Sequence, residues 1–212
     1  MPKGSPELTE KRKNEILDAC EKIYAEKGFY GVTIKQISTE ITLTRSAIYN
    51  YFETKEEILL GLLIREYESW CNELEKITKF SHKLNRLELS KQIAHTLEGK
   101  ETLLRILNMN LFEIEQNSRV ERLAEFKVQF KKSISVLCKI LYYYNTDISD
   151  TECEEFCEMF SAFLFGVFPF TKHTKKQLEA MQIAGVNMKE PSIYEMIHRC
   201  LLKMLPEKES NK

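Results

Sequence analysis

The chain reads as an all-α protein, and three observations carry that expectation. Its 212 residues hold only 7 glycines and 5 prolines, a scarcity of breakers that suits long helices. Apolar residues recur at three- and four-residue steps through most segments. The sequence has no strand-like alternation, internal repeat or low-complexity tract.

Residues 9–27 form the first periodic segment, with Ile16, Ala19, Cys20, Ile23 and Tyr24 on one stripe. Gly28 is placed to end it as a left-handed C-terminal residue, and "FYGV" reads as a connector. "TIKQ" has the capping-box pattern, Thr33 with Gln36, and opens a short helix to about Ile41. Four residues follow, and Thr44 caps a third helix from Arg45 to about Phe52. Thr54 with Glu57 makes a further capping box, ahead of a long helix carrying Leu59, Leu62, Leu63, Tyr67, Trp70, Leu74 and Ile77. After the polar connection "FSHKLNRLELS", helices are expected near 87–97, 100–116 and 119–144. Ser149 and Glu152 cap another over 150–168. A short helix is expected within 174–184 and a last one from Ser192 to about Leu205, followed by a frayed tail.

Two short helices separated by a four-residue turn and packed on a longer one make a helix-turn-helix. Ile48 and Phe52, four apart, are expected to pack inward on Ile34, Ile37 and the first helix. Arg45, Ser46, Tyr49 and Asn50 then face solvent. Such a face suits the major groove: Arg pairs with guanine, Asn with adenine, and Ser or Tyr with phosphate or a base edge. Thr33, Thr44 and Lys55 stand at helix starts, where free N–H groups favour phosphate. The alternative reading of the aromatics is plain core, with Tyr49 or Tyr51 capping it.

Composition bounds this picture. Net charge is −1, and residues 1–55 carry nine Lys/Arg against eight Asp/Glu. Nucleic-acid binding must therefore come from a local patch rather than the summed field. No apolar run reaches the roughly 18 residues a membrane span needs. The N-terminus has no apolar signal core, so a cytosolic protein is expected. The six cysteines, Cys20, Cys71, Cys138, Cys153, Cys157 and Cys200, are scattered and read as small buried hydrophobes. Cys153 and Cys157 share a helix face, but no paired Cys or His motif completes a metal site, and neither metal nor cofactor is expected. The four histidines form no ligand ladder, and no phosphate loop or nucleophile motif occurs, so catalysis lacks support.

The run "GVTIKQISTEITLTRSAIYNYFETKEEILLGLL", residues 31–63, resembles the DNA-binding segment of TetR/AcrR-family transcriptional regulators. The family pattern is a Thr, then Ile-Ala, a Gly-Val-Ser turn, a Tyr-x-x-Phe and a Phe-x-x-Lys-x-x-Leu-like run. Its counterparts are Thr33, Ile37-Ser38, Thr42-Leu43-Thr44, Tyr49 to Phe52, and Lys55 to Ile58. The resemblance covers roughly residues 9–64. It implies a helix-turn-helix DNA-binding domain over 1–55 and a helical effector-binding and dimerisation domain over 56–212. It also implies that Tyr49 and Lys55 hold phosphates, assisted by Thr33 and Thr44, while Arg45, Ser46, Asn50 and Tyr51 meet base edges. Two positions depart from the pattern. Thr42 replaces the turn glycine; a β-branched residue resists positive φ, so the turn is expected to be reshaped or strained by about 1 kcal/mol or more. Ser38 replaces a small alanine.

One helix-turn-helix reads one half-site, and dimers reading two are the common solution, so a homodimer on palindromic double-stranded DNA is expected. The second half of 150–168 is apolar nearly all round, which implies cover on every side. One monomer can supply that cover, but a partner explains it more easily. Phe156, Phe160, Ala162, Phe163, Gly166 and Val167, with Tyr194, Ile197 and Leu201 of the last helix, are the candidate interface, a four-helix bundle as in TetR-like regulators. A small-molecule effector is a weaker inference. Tyr67, Trp70, Leu104, Phe112, Phe126 and Phe130 would line its site, with Asn108 and Glu113 as polar anchors; ordinary core is the heavier alternative for each. The favoured function is a ligand-responsive DNA-binding repressor. The alternatives are a DNA-binding protein of the same fold controlled by a protein partner or acting without a small ligand, and a helical-bundle enzyme or metal carrier.

Overall fold

The computed structural model describes residues 5–80, 82–187 and 189–206, so the expected frayed tail beyond Pro206 lies outside the described residues. Every regular element among them is helical. None of their helices is long and apolar enough to cross a membrane. They form two compact units, one within Met1–Glu68 and Asn110–Lys131, the other within Ser69–Met109 and Lys132–Lys212. These units are drawn differently from the expected segments 1–55 and 56–212. Two long helices, α4 (Lys55–Ile77) and α8 (Val120–Tyr144), each give their first half to the first unit.

The first unit begins with α1 (Pro6–Gly31). It starts three residues earlier than its periodicity suggests, because Ser5 caps it and Pro6 fills the first helical position. Gly28 takes the expected left-handed φ of 68°, and one further turn follows the kink. Next come α2 (Ile34–Glu40) and α3 (Arg45–Ile48). Ile16, Cys20, Ile23, Ile37, Ile48 and Phe52 are buried together with Leu59 and Leu63, the core expected for this segment. α7 (Leu111–Gln116) completes the unit with the start of α8. Tyr67 packs against Phe126 and Phe130, with ring centroids 5.9 Å away in both cases.

The second unit holds α5 (Arg86–Thr96), α6 (Glu101–Met109), α9 (Asp150–Gly166), α10 (Lys175–Ile183) and α11 (Ile193–Met204). The expected single helix over 100–116 is two, split at Asn110. α9 stops at Gly166 and a 3-10 turn, Phe168–Phe170, follows. Capping boxes close the starts of α5, α9, α10 and α11 through Asn85/Glu88, Ser149/Glu152, Thr174/Gln177 and Ser192/Glu195. α5 packs on α11, and α6 on α9. Arg86 donates to the Leu202 carbonyl, and the Ser90 hydroxyl lies 3.1 Å from His198 Nδ1.

The apolar second half of α9 is covered mostly by its own chain. Phe156, Phe160 and Val167 are buried, as are Ile197 and Leu201 of α11. These five candidate interface residues are therefore core of the single chain, a correction to the sequence expectation. Ala162 is exposed, and Phe163, Gly166 and Tyr194 are partly exposed. Met159, 55% exposed, joins Ala162, Phe163 and Gly166 at helical spacing, and a Cβ at Gly166 would meet nothing within 4 Å. That stripe is the open face of α9.

Candidate nucleic-acid interface

Thr33 caps α2, its hydroxyl accepting from the Gln36 N–H at 3.1 Å. The reciprocal half of that expected capping box is absent, since Gln36 Oε1 is buried with no hydrogen-bond partner. A salt bridge of 2.6 Å from Lys22 to Glu40 ties α1 to α2. Ile41 and Thr44 are extended, and no described non-glycine residue has positive φ. The turn through Thr42 is thus reshaped, and the strain expected from a left-handed threonine does not arise.

Thr44 then caps α3: its hydroxyl accepts from the Ala47 N–H at 3.2 Å and lies 3.0 Å from the Ser46 hydroxyl. Regular α-helix ends at Ile48, four residues short of the expected end. From there the chain tightens into three-residue hydrogen bonds, Asn50 N–H to the Ala47 carbonyl and Tyr51 N–H to the Ile48 carbonyl. Three residues on from Ile48, Tyr51 lies on the same side as Ile48. Tyr51 is only 4% exposed, with Arg12 Nη1 3.4 Å from its hydroxyl. Its expected place at a base edge is corrected: the ring is core. Arg45, Ser46, Tyr49 and Asn50 are exposed, Tyr49 by 54%. The outward set is thus four contiguous polar side chains around one turn.

Lys55, at the start of α4, is half-covered. Its ammonium sits 4.0 Å from the Phe29 ring centroid and 3.4 Å from the Phe29 carbonyl. Beside it Tyr30 stands 90% exposed, its ring 5.9 Å from the same ammonium.

The sequence reading missed an ion pair in the same unit, between buried Glu57 and part-exposed Arg119. Glu57 is buried, and its carboxylate accepts from Arg119 Nε at 2.6 Å and Nη2 at 2.8 Å, from the Arg119 N–H, and from the Glu53 N–H at 2.8 Å. Burial alone would push the Glu57 carboxyl up, but the guanidinium and the two backbone N–H groups outweigh it and hold it below the ordinary carboxylate range. The Arg119 guanidinium is correspondingly pushed up by Glu57. Glu57 N–H still donates to Thr54 Oγ1, so half of that predicted capping box forms and Arg119 takes the other half. Thr54 donates to the Asn117 carbonyl, and Arg122 Nη2 donates to the Tyr51 carbonyl. Tyr51, Thr54 and Glu57 are thereby tied to the α7–α8 corner within one unit.

The candidate effector residues do not gather in one unit. Tyr67, Phe112, Glu113, Phe126 and Phe130 belong to the first, whereas Trp70, Leu104 and Asn108 belong to the second. Phe112 is 82% exposed. Trp70 donates to Thr96 Oγ1 at 2.9 Å, and Asn108 to the Phe165 carbonyl at 2.9 Å.

A family model for bacterial regulatory proteins of the tetR family matches residues 16–62, and a tetracyclin repressor-like C-terminal domain model matches residues 64–201. The chain belongs to the TetR family. It is a helix-turn-helix regulatory protein and not an enzyme. Among curated relatives, the TetR chain is 34% identical over 83 residues to the HTH-type transcriptional regulator HbdR of Aromatoleum sp., covering 39% of this chain and 36% of HbdR. It is 32% identical over 62 residues to the HTH-type transcriptional repressor AcnR of Corynebacterium diphtheriae, covering 29% of this chain and 33% of AcnR. The chain thus spans little more than a third of these relatives' length. Solved TetR structures match far more of it. The regulator PfmR from Thermus thermophilus superposes with a TM-score of 0.56 at 16% identity, over 92% of this chain and 98% of PfmR. A putative TetR-family regulator from Mesorhizobium loti gives 0.59 at 12% identity, over 93% and 96%. At such identities the likeness is one of fold.

Proposed function

We propose that this TetR-family chain is a cytoplasmic, DNA-binding transcriptional repressor that acts as a homodimer on a palindromic duplex operator and is released by a small apolar or amphipathic effector. The observation that carries the DNA reading is the exposed turn of Arg45, Ser46, Tyr49 and Asn50, presented by a capped helix inside the segment matched by the family model. In this reading Arg45, Ser46 and Asn50 meet base edges, Tyr49 and Lys55 meet phosphates, and Thr33 and Thr44 assist at the helix starts. Residues 1–55 supply the duplex contacts, and 56–212 the effector and dimer functions. The names of relatives such as AcnR support the repressor half. The open stripe of Met159, Ala162, Phe163 and Gly166 supports the dimer half. An effector acts by binding one of two conformations better, so that the two recognition turns lose their spacing.

A second reading has one observation behind it. Trp70 and Asn108, placed at the effector site from the sequence, already make hydrogen bonds within the chain, which favours the same fold working without a small ligand. Selection of genomic duplex fragments, followed by salt-titrated binding, tests the main proposal. A recovered site with two half-sites is expected. Lys55→Ala lowers the salt slope by about one, while Arg45→Ala relaxes sequence preference. Recovery of no specific duplex sinks the DNA reading. Release of that duplex by a hydrophobic compound library separates the two readings.

A further inference from the structure

The sequence offered two cysteines one turn apart and nothing to complete a site. The fold supplies the third. Cys153 and Cys157 lie on the first turns of α9, and Cys138 on the second half of α8, all within the second unit. Their three sulfurs lie within 4.8 Å of one another. Cys138 Sγ and Cys157 Sγ are 3.7 Å apart, and two sulfurs on one tetrahedral ion at a bond length of about 2.3 Å would stand about 3.8 Å apart. All three are free thiols. Cys153 and Cys157 are buried and Cys138 is partly exposed, so the cluster has an interior floor and a side open to solvent. Among the described residues this is the one group of three or more His, Cys, Asp or Glu side chains close enough to share an ion.

We propose that Cys138, Cys153 and Cys157 form a three-sulfur site for a soft, thiophilic metal or metalloid ion. The donor set selects the class. Hard cations such as magnesium and calcium require oxygen ligands, whereas three thiolates suit soft ions. Structural zinc sites take four ligands, and no His, Asp or Glu joins the three sulfurs. Charge selects further. Three thiolates carry three negative charges, and burying net charge is costly. A trivalent centre leaves a neutral complex, a divalent one leaves −1 and a monovalent one −2, so the trivalent metalloids rank first. With arsenous acid the exchange balances without oxidant or reductant: three S–H bonds and three As–O bonds break, three As–S bonds form, and three waters leave. The proposal does not depend on the DNA reading.

The test uses the full, reduced, metal-free chain with two probes, arsenite and cadmium(II). Native mass spectrometry is expected to show one arsenic per chain with the loss of three hydrogens. Alkylation mapping is expected to show Cys138, Cys153 and Cys157 protected and Cys200 still reactive. Cadmium is expected to give a sulfur-to-metal charge-transfer band, with weaker binding. Cys153→Ser lowers both affinities by at least about tenfold, whereas Cys200→Ser changes neither. X-ray absorption on the wild-type arsenic adduct, showing three sulfur neighbours, holds regardless of how any variant folds. Cadmium binding without arsenite binding supports the site and overturns the ranking by charge. Absence of a one-to-one adduct with either probe, an adduct that survives Cys153→Ser, or conversion of Cys138 and Cys157 to a disulfide in place of ion binding overturns the site.

Discussion

From Thr33 to Glu57 the first unit sets caps, core contacts and an exposed polar turn along one short run of chain. The second unit assembles its thiol cluster from two helices, with Cys138 on α8 and Cys153 and Cys157 on α9. The first arrangement is local, and each part has a signal within a few residues of it: a Thr before a helix, an Ile and a Phe four apart. The second is tertiary, and no spacing rule announces it. The same contrast governs burial. Ile48 faces inward because its own short helix packs on α2, whereas the partial cover of α9 comes from distant segments such as α6 and α11. An apolar helix can thus resemble an interface in sequence and be core in the fold.

Phe160→Ala breaks that contrast most sharply. Phe160 is fully buried and stacks near Phe156, with ring centroids 5.8 Å apart. Truncation removes the ring and leaves a cavity, so a loss of about 3–5 kcal/mol in unfolding free energy is expected. Urea denaturation at two widely separated protein concentrations checks it. A residue of the interface alone would weaken association and spare the monomer, so unchanged monomer stability would return Phe160 to the dimer face.

Much of the first unit was legible for this reason, and its failures are equally specific. Gly28, the Thr33 and Thr44 caps and the inward Ile48/Phe52 pair follow from propensity and period. The Tyr51 error came from the family resemblance, which implied a base edge, whereas a residue three after the buried Ile48 shares its inward side. At Thr42 the expectation left reshaping and strain open, and the absence of a positive φ there decides for reshaping. Arg119 was invisible as the partner of Glu57 because 62 residues separate them. In the second unit the Ser149/Glu152 box was readable, while the sulfur cluster needed the packing of α8 against α9.

Arg119→Ala sharpens the comparison by attacking the tertiary contact behind the local motif. It strands the buried Glu57 carboxylate, and because the guanidinium is itself partly exposed, a loss of about 2–3 kcal/mol is expected. The pH dependence should change with it. The Glu57 carboxyl titrates lower in the folded chain than its ordinary value of 4.5, so folding favours the ionised form. Stability from the pair is full above that ordinary value and is lost as pH falls through the lower, folded-state value. Denaturation between neutral pH and about pH 3 should show this acid loss in the wild type and a flatter profile in Arg119→Ala. An equally steep profile in the variant would mean that other carboxylates carry the acid sensitivity.

The smallest effect asks whether the local reading of the recognition turn can be trusted residue by residue. Tyr49 and Tyr51 are two apart; spacing put Tyr49 toward solvent, and the family resemblance implied that Tyr51 meets the DNA as well. The structure separates them: Tyr49 is exposed, while the Tyr51 ring is buried with its hydroxyl near Arg12. Tyr51→Phe removes only a long hydrogen bond of 3.4 Å, so at most about 1 kcal/mol of stability should go. Affinity for the selected duplex should stay within about twofold, since a buried hydroxyl has no base edge or phosphate to meet. Tyr49→Phe, which deletes an exposed hydroxyl proposed to meet phosphate, should cost about 1 kcal/mol of binding at every sequence. If Tyr51→Phe loses as much affinity as Tyr49→Phe, the turn must open on the duplex and expose Tyr51, and the tightening after Ile48 would then belong to the free protein alone.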